Sequence, residues 1–451
     1  MTRLRLSILY FLQFSIWGCY LTSLGQFLGA SGLGKDIAWF YAAIGIVSIV
    51  TPPLLGRLAD KLSNPQYLLA GCHAIAALLM LSLWGYAKGS ESLNFICTYL
   101  LYLGFLSFYM PTMALSNTVS FRIIDQSGGN TVTSFPRIRI WGTVGFIAAM
   151  WFVNSAYVDN GTIHFTLSDS VDTGHLRFQY NSMQLFCSGI MGILTSIYSL
   201  SLPLKTGVSV ERIDRPVRNE NIIIATRRLC KVKRAGIFLI FVILAGVCLQ
   251  ISNGYATPYI THFIALPEFR SSLAAGNATM LFSLSQISEA LCVLLVGISL
   301  KRIGIKWVYA IGLFAWCGRF LMLGTGNPDS GLWLLIGSML IYGISFNFIT
   351  IAGHLYIQQI APADMKGLAQ GIMMFMSNGI GATTGIFIAG SIVNHWCRWE
   401  FINIGDTPVR LFMGEWLWPW LIFAVYAFVI AAAWLLTNQL FARKNLKSEN
   451  K

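Results

Sequence analysis

Long apolar runs, each near the length of a bilayer-crossing helix, recur along the whole chain with short polar segments between them. Twelve can be drawn, over approximately 6–28, 38–58, 66–87, 93–119, 138–157, 181–203, 236–262, 277–300, 306–325, 331–357, 367–394 and 413–440. A helix needs about 20 mostly apolar residues to cross a bilayer, whereas barrel strands alternate apolar with polar residues. The pattern therefore predicts an all-α membrane protein with 12 transmembrane helices. The most polar interruption, 204–235, carries nine basic and three acidic residues and divides the spans six and six. It predicts an N-terminal six-helix bundle over 1–203, a cytoplasmic linker over 204–235, and a C-terminal six-helix bundle with a short basic tail over 236–451.

Composition agrees with the pattern. Of 451 residues, 55% are hydrophobic and 11% charged, against about 25% charged in a soluble domain, and the mean hydropathy is +0.64. Many of the 42 glycines lie inside spans, as in Gly379-Ile-Gly-Ala-Thr-Thr-Gly385, where small residues let helix backbones approach closely. The first span follows Met1-Thr-Arg3-Leu-Arg5. It is longer than the apolar part of a signal peptide and lacks a small-x-small cleavage site, so it reads as an uncleaved first helix.

The net charge of +13 raises the possibility of a nucleic-acid partner, which its distribution argues against. With both termini inside, 23 Lys and Arg fall on cytoplasmic segments, six outside, and two (Arg139, Arg319) within spans. This bias orients a membrane protein. The nine cysteines are dispersed without a CxxC pair, so neither metal site nor disulfide framework is expected. Residues 158–180 form a long polar loop assigned to the outer face. Its aspartates and histidines fit no metal-ligand spacing, and it reads as a solvated lid or hairpin. Asn160-Gly-Thr162 and Asn277-Ala-Thr279 match glycosylation sequons, and neither is taken to be modified.

Candidate chemistry lies within the spans. Glu289 sits deep in the eighth, where a charged carboxylate costs roughly 3 kcal/mol or more to insert and usually faces a bundle interior or a watery path. Gln286 shares its helix face at i, i+3, as do Gln250 and Asn253 in the seventh span. Arg139, Thr143 and Phe146 line one face of the fifth. Tyr342 and Phe346 line one face of the tenth with Asn347 beside them, and Gln13 and Trp17 one face of the first. Amides donate and accept hydrogen bonds and aromatics offer stacking faces, a set suited to a neutral, flat, polyhydroxylated ligand. The competing reading is inter-helix hydrogen bonding, at about 1–2 kcal/mol or less each. No nucleophile–base pair, metal cluster or phosphate loop is present, which argues against an enzyme and a cofactor. His73, Arg319 and His354 are further ionisable residues in or near spans.

Two loop motifs echo each other across the halves, Gly56-Arg-Leu-Ala-Asp60-Lys61 and Gly297-Ile-Ser-Leu-Lys301-Arg302. The first resembles a gating loop of the major facilitator superfamily, which gives Asp60 and Lys61 a gating and structural part. Lys366-Gly367 looks like a related loop. The segments Phe11-Leu-Gln13-Phe-Ser-Ile-Trp17-Gly18, Tyr109-Met-Pro111-Thr112, Phe135 through Phe146, Leu249-Gln250-Ile-Ser-Asn253 and Ser285-Gln286-Ile-Ser-Glu289 resemble the nucleoside:proton symporter family of that superfamily, over about 6–435. The resemblance implies a multi-pass carrier in a bacterial inner membrane, with both termini cytoplasmic. It implies import of a uridine-like nucleoside by proton symport with alternating access, and a monomer is assumed. It places nucleoside contacts at Arg139, Thr143, Phe146, Gln250, Asn253, Gln286, Glu289, Tyr342 and Phe346, with Asn347 adjoining, and the proton at Glu289. Asn347 departs from the pattern, because the resembled permease carries an acid there. A sugar or oligosaccharide symporter and a non-transporting nucleoside sensor are the alternatives.

Overall fold

The computed structural model describes residues 2–61, 64–90, 92–128, 131–167, 176–203, 222–270, 272–362, 366–404 and 407–449, without the side chains of 49, 52–54, 56–61, 131–133, 136, 222, 223, 225, 294, 358, 366–368, 370, 403, 404, 407–409 and 441–449. Helices stand at all twelve expected places. The first six are Thr2–Gly18, Ile37–Lys61, Pro65–Lys88, Phe95–Gln126, Thr131–Ser155 and Met183–Leu200. The seventh is Lys233–His262, the tenth Leu332–Ile360 and the twelfth Leu417–Glu449. Among the described residues, eight helices are long and apolar enough by themselves to cross a membrane. The first, Thr2–Gly18, falls just short in length at 17 residues.

The spans keep the expected outline, with two details added. The eighth and ninth lie within Ala278–Thr325 and meet directly at Gly304, whose φ 77° and ψ 165° leave the helical path and separate the two helices. Glycine alone adopts that conformation without steric cost, so a single residue does the work of a loop. The eleventh is interrupted by a π-helical turn, Phe375–Gly381, between Lys366–Met374 and Ala382–Trp396.

The chain packs as two compact units. One comprises 1–217, 257–283 and 399–413, the other 218–256, 284–398 and 414–451. In the first, the first and fifth helices cross at glycines. A side chain at Gly145 would collide with the Phe11 backbone, and one at Gly18 with the Phe146 backbone. In the second, a core of buried residues running from Leu229 through Phe238, Tyr309 and Tyr356 to Trp434 holds the helices together.

Among the described residues there are also two β-hairpins. Strand Ala156–Asp159 pairs antiparallel with Thr162–Phe165, Ala156 opposite Phe165. Its turn places Asn160 at φ 47° and Gly161 at φ 79°, the two-residue Asn-Gly geometry that matches strand twist. The second hairpin, Cys397–Ile404 with Thr407–Gly414, has no counterpart among the sequence expectations. Its Trp399 ring stacks on Phe412 at 4.8 Å and lies where side chains at Gly29 or Gly34 would have to be.

The expectation of a solvated 158–180 loop needs correction at its C-terminal end. Arg177 is fully buried and Phe178 is 2% exposed. The Arg177 guanidinium donates to the Asn154 carbonyl (3.2 Å), to the Asn277 side-chain oxygen (2.7 Å) and to the Gly276 carbonyl. Gln179 and Tyr180 donate to that same carbonyl at 3.0 and 3.1 Å. Asn277 in turn donates to the Leu167 carbonyl at 2.7 Å, which leaves the sequon asparagine inside a buried knot. Arg177→Ala removes three donors from buried acceptors, each worth about 1–3 kcal/mol when left unsatisfied. The expected result is a lower unfolding midpoint in detergent and earlier protease cleavage within 158–180.

Candidate functional site

Each unit carries its own polar set. In the first, Arg139, Thr143 and Phe146 follow one another on the fifth helix, with Phe146 buried, Thr143 half-buried and Arg139 exposed. The close crossing of the first helix decides what faces Arg139, whose guanidinium lies 4.0 Å from the centre of the Phe14 ring and 5.9 Å from that of Tyr10. A cation over an aromatic face gains about 0.5–2 kcal/mol, which holds the arginine head against the first helix.

In the second unit, the eighth and tenth helices meet at Gly343, where any side chain would strike Ser288. That approach brings Glu289 beside the tenth-helix residues. Asn347 donates its amide to the Glu289 backbone carbonyl at 2.7 Å. The residue that replaces the expected acid is thus a helix-to-helix tie. It leaves the Glu289 carboxyl itself to other interactions, and Tyr342 lies within that carboxylate's electrostatic reach. Tyr342 and Phe346 stack nearly parallel, 5.8 Å apart at 6°. Glu289, Gln286, Asn253 and Phe346 are half-buried, whereas Gln250, Tyr342 and Asn347 are buried.

Hydrogen bonding separates the amides that sequence periodicity grouped together. Gln13 is fully buried. It donates to Thr112 at 3.3 Å and to the Met113 sulfur at 3.2 Å, and accepts from Ser116. It is spent on packing the first helix against the fourth. Among the described residues, none makes a side-chain hydrogen bond to Gln250, Asn253 or Gln286. Amides with polar groups to spare inside apolar spans suit a polar ligand, because a buried donor or acceptor without a partner costs about 1–3 kcal/mol.

The residue that organises the second set went unassigned at the level of sequence. Arg319, fully buried, donates to Ser252 at 3.1 Å, to Ser285 at 3.3 Å and to the Ser338 carbonyl. Its guanidinium also lies 4.8 Å from the centre of the Tyr342 ring. Ser252 and Ser285 immediately precede Asn253 and Gln286, so one arginine joins the seventh, eighth and tenth helices beside the candidate contacts. The available signal was an intramembrane arginine with serines on three other spans. His73 is fully buried on the third helix, against Tyr109 of the fourth at 6.2 Å. The side chains of Asp60, Lys61 and Lys366 lie outside the described residues.

Twelve helical spans in two units, with an arginine on aromatic rings in one and amides, stacked aromatics and a carboxylate in the other, are the architecture of a polytopic carrier of the major facilitator type. Residues 1–443 match the model of the nucleoside H+ symporter family, and the chain belongs to that family. It is 32% identical to the nucleoside permease NupG of Escherichia coli over 437 residues, 96% of this chain and 95% of that one. It is equally 32% identical to the xanthosine permease of the same organism, over 95% of this chain and 94% of that one. A crystal structure of the nucleoside transporter NupG with one aspartate replaced by alanine superposes with a TM-score of 0.81, covering 97% of this chain and 99% of that one. The chain is a multi-pass membrane transporter of nucleosides, and no enzyme.

Proposed function

We propose that the protein imports nucleosides together with protons across a bacterial inner membrane, with both termini cytoplasmic. The two halves, 1–203 and 236–451, would expose the cargo alternately to either side. The observation that carries this reading is the family match over residues 1–443. The free amides of Gln250, Asn253 and Gln286 agree with it as hydrogen-bonding partners for a base or ribose. Arg139 and Thr143 supply further polar contacts, Phe146, Tyr342 and Phe346 supply faces for stacking, and Glu289 carries the proton. A uridine-like cargo is the specific proposal.

Cargo is tested by counterflow of labelled uridine into proteoliposomes, with nucleosides, free bases and sugars as competitors. Competition by nucleosides and not by sugars is the expected result. Competition by sugars alone would sink the cargo assignment in favour of a sugar symporter, and nucleoside binding without flux would identify a sensor.

A further inference from the structure

The second unit contains a cavity of about 100 Å³ whose lining includes Phe346 and His354. We propose that His354 is the proton-release residue of the carrier, receiving through water in this cavity the proton that Glu289 gives up. The proposal rests on the proton-symport reading given above.

Four observations converge. First, the cavity has room for several waters, each needing two to four polar partners, and Ser345, Thr350, Ser377 and Asn378 provide them together with His354. Ser377 and Asn378 come from the π-helical turn Phe375–Gly381, a wide turn of the kind that recurs at functional sites.

Second, two of the cavity's walls are rings packed against Tyr342. Phe346 stacks on Tyr342, Trp316 meets Tyr342 edge-on at 5.8 Å, and both Phe346 and Trp316 line the cavity. Tyr342 is within electrostatic reach of Glu289.

Third, His354 lies seven residues after Asn347 on the tenth helix, two turns along the same face and about 10.5 Å away at 1.5 Å per residue. In the proposed orientation this displacement is toward the cytoplasm. Fourth, among the described residues the titratable groups lining the cavity are His354 and Tyr309. Imidazole is the side chain whose proton exchange falls in the physiological range, whereas a phenol ordinarily holds its proton to about pH 10. Arg319, beside Tyr342, is a fixed positive charge on the site side and favours movement of a proton away from it.

The transfer balances simply. The Glu289 carboxylic acid loses its proton to a cavity water, the His354 imidazole accepts a proton from the water chain, and the imidazolium then releases it to cytoplasmic water. Asn347, an amide that neither takes nor gives a proton, leaves this task to a residue further along its own helix.

The test compares wild type with His354→Gln in proteoliposomes, using whichever of uridine, adenosine and xanthosine the wild type exchanges fastest. Expected is a tenfold or greater loss of accumulation driven by an inward proton gradient, with nucleoside-induced proton uptake lost in parallel. Exchange at equal pH on both sides should stay within about twofold. Unchanged driven accumulation would overturn the proposal. Loss of exchange with nucleoside binding intact would overturn it too, because the histidine would then serve the conformational cycle. If His354→Gln fails to fold, the same measurements on His354→Asn decide. A wild type that exchanges nucleoside but never accumulates it disproves proton symport itself, an outcome distinct from failure at His354 alone.

Discussion

Replacing Glu289 by glutamine is expected to abolish proton-driven nucleoside accumulation while nucleoside exchange continues. Glutamine preserves the size of the side chain and its capacity to hydrogen-bond but has no proton to release. The substitution also spares the local packing, because Asn347 holds the main-chain carbonyl of residue 289 and not its side chain. Any loss of accumulation therefore reports on the carboxyl group. One proton moving inward contributes about 2.3 kcal/mol per 100 mV, or roughly 50-fold accumulation at 100 mV. Proteoliposomes with an imposed gradient should show wild type approaching that ratio and Glu289→Gln settling at equal concentrations on both sides. Equal accumulation by the two proteins would remove Glu289 from the coupling mechanism.

The second large effect is expected at Arg319. Alanine there withdraws the donors to Ser252, Ser285 and the Ser338 carbonyl and leaves a volume once filled by a guanidinium beneath Tyr342. Breaking a buried charged network typically costs about 3–5 kcal/mol, and bonds within membrane bundles fall toward the lower end of such ranges. A loss of about 2–4 kcal/mol should appear as a clearly lower unfolding midpoint in detergent. Transport should fall more steeply than stability, because Asn253 and Gln286 sit next to the two serines. Arg319→Lys retains the charge but not the planar fork of donors, so it is expected to recover part of the stability and little of the transport. A protein with alanine at 319, normal in both stability and uptake, would show that the hub is dispensable.

The contrast between Gln13 and Gln250 shows what could be read along the chain and what could not. Both are amides inside apolar runs, and periodicity treats them alike. Gln13 turns out to be enclosed by Thr112, Met113 and Ser116, about a hundred residues away, while Gln250 meets no such partner among the described residues. Local pattern reports which face of a helix a residue occupies, but not which other helix covers that face. The same limit applies to Arg177. In a polar stretch it reads as solvated, yet Asn154 and Asn277, over twenty and a hundred residues distant, draw it into the interior.

By itself, then, the sequence determined what depends on neighbours a few residues away or on the bilayer. It set the positions of the spanning helices, the shared face of Gln286 and Glu289, the membrane class and the family pattern. Tertiary structure alone decided the rest: the glycine crossings that place Arg139 on Phe14 and Glu289 beside Asn347, the single-residue turn at Gly304 between the eighth and ninth helices, and Arg319 as the tie among three other helices. The physical reason is that hydrophobic periodicity is set by helical geometry within one segment. Satisfaction of a buried polar group, by contrast, depends on donors and acceptors that only folding brings within about 3 Å.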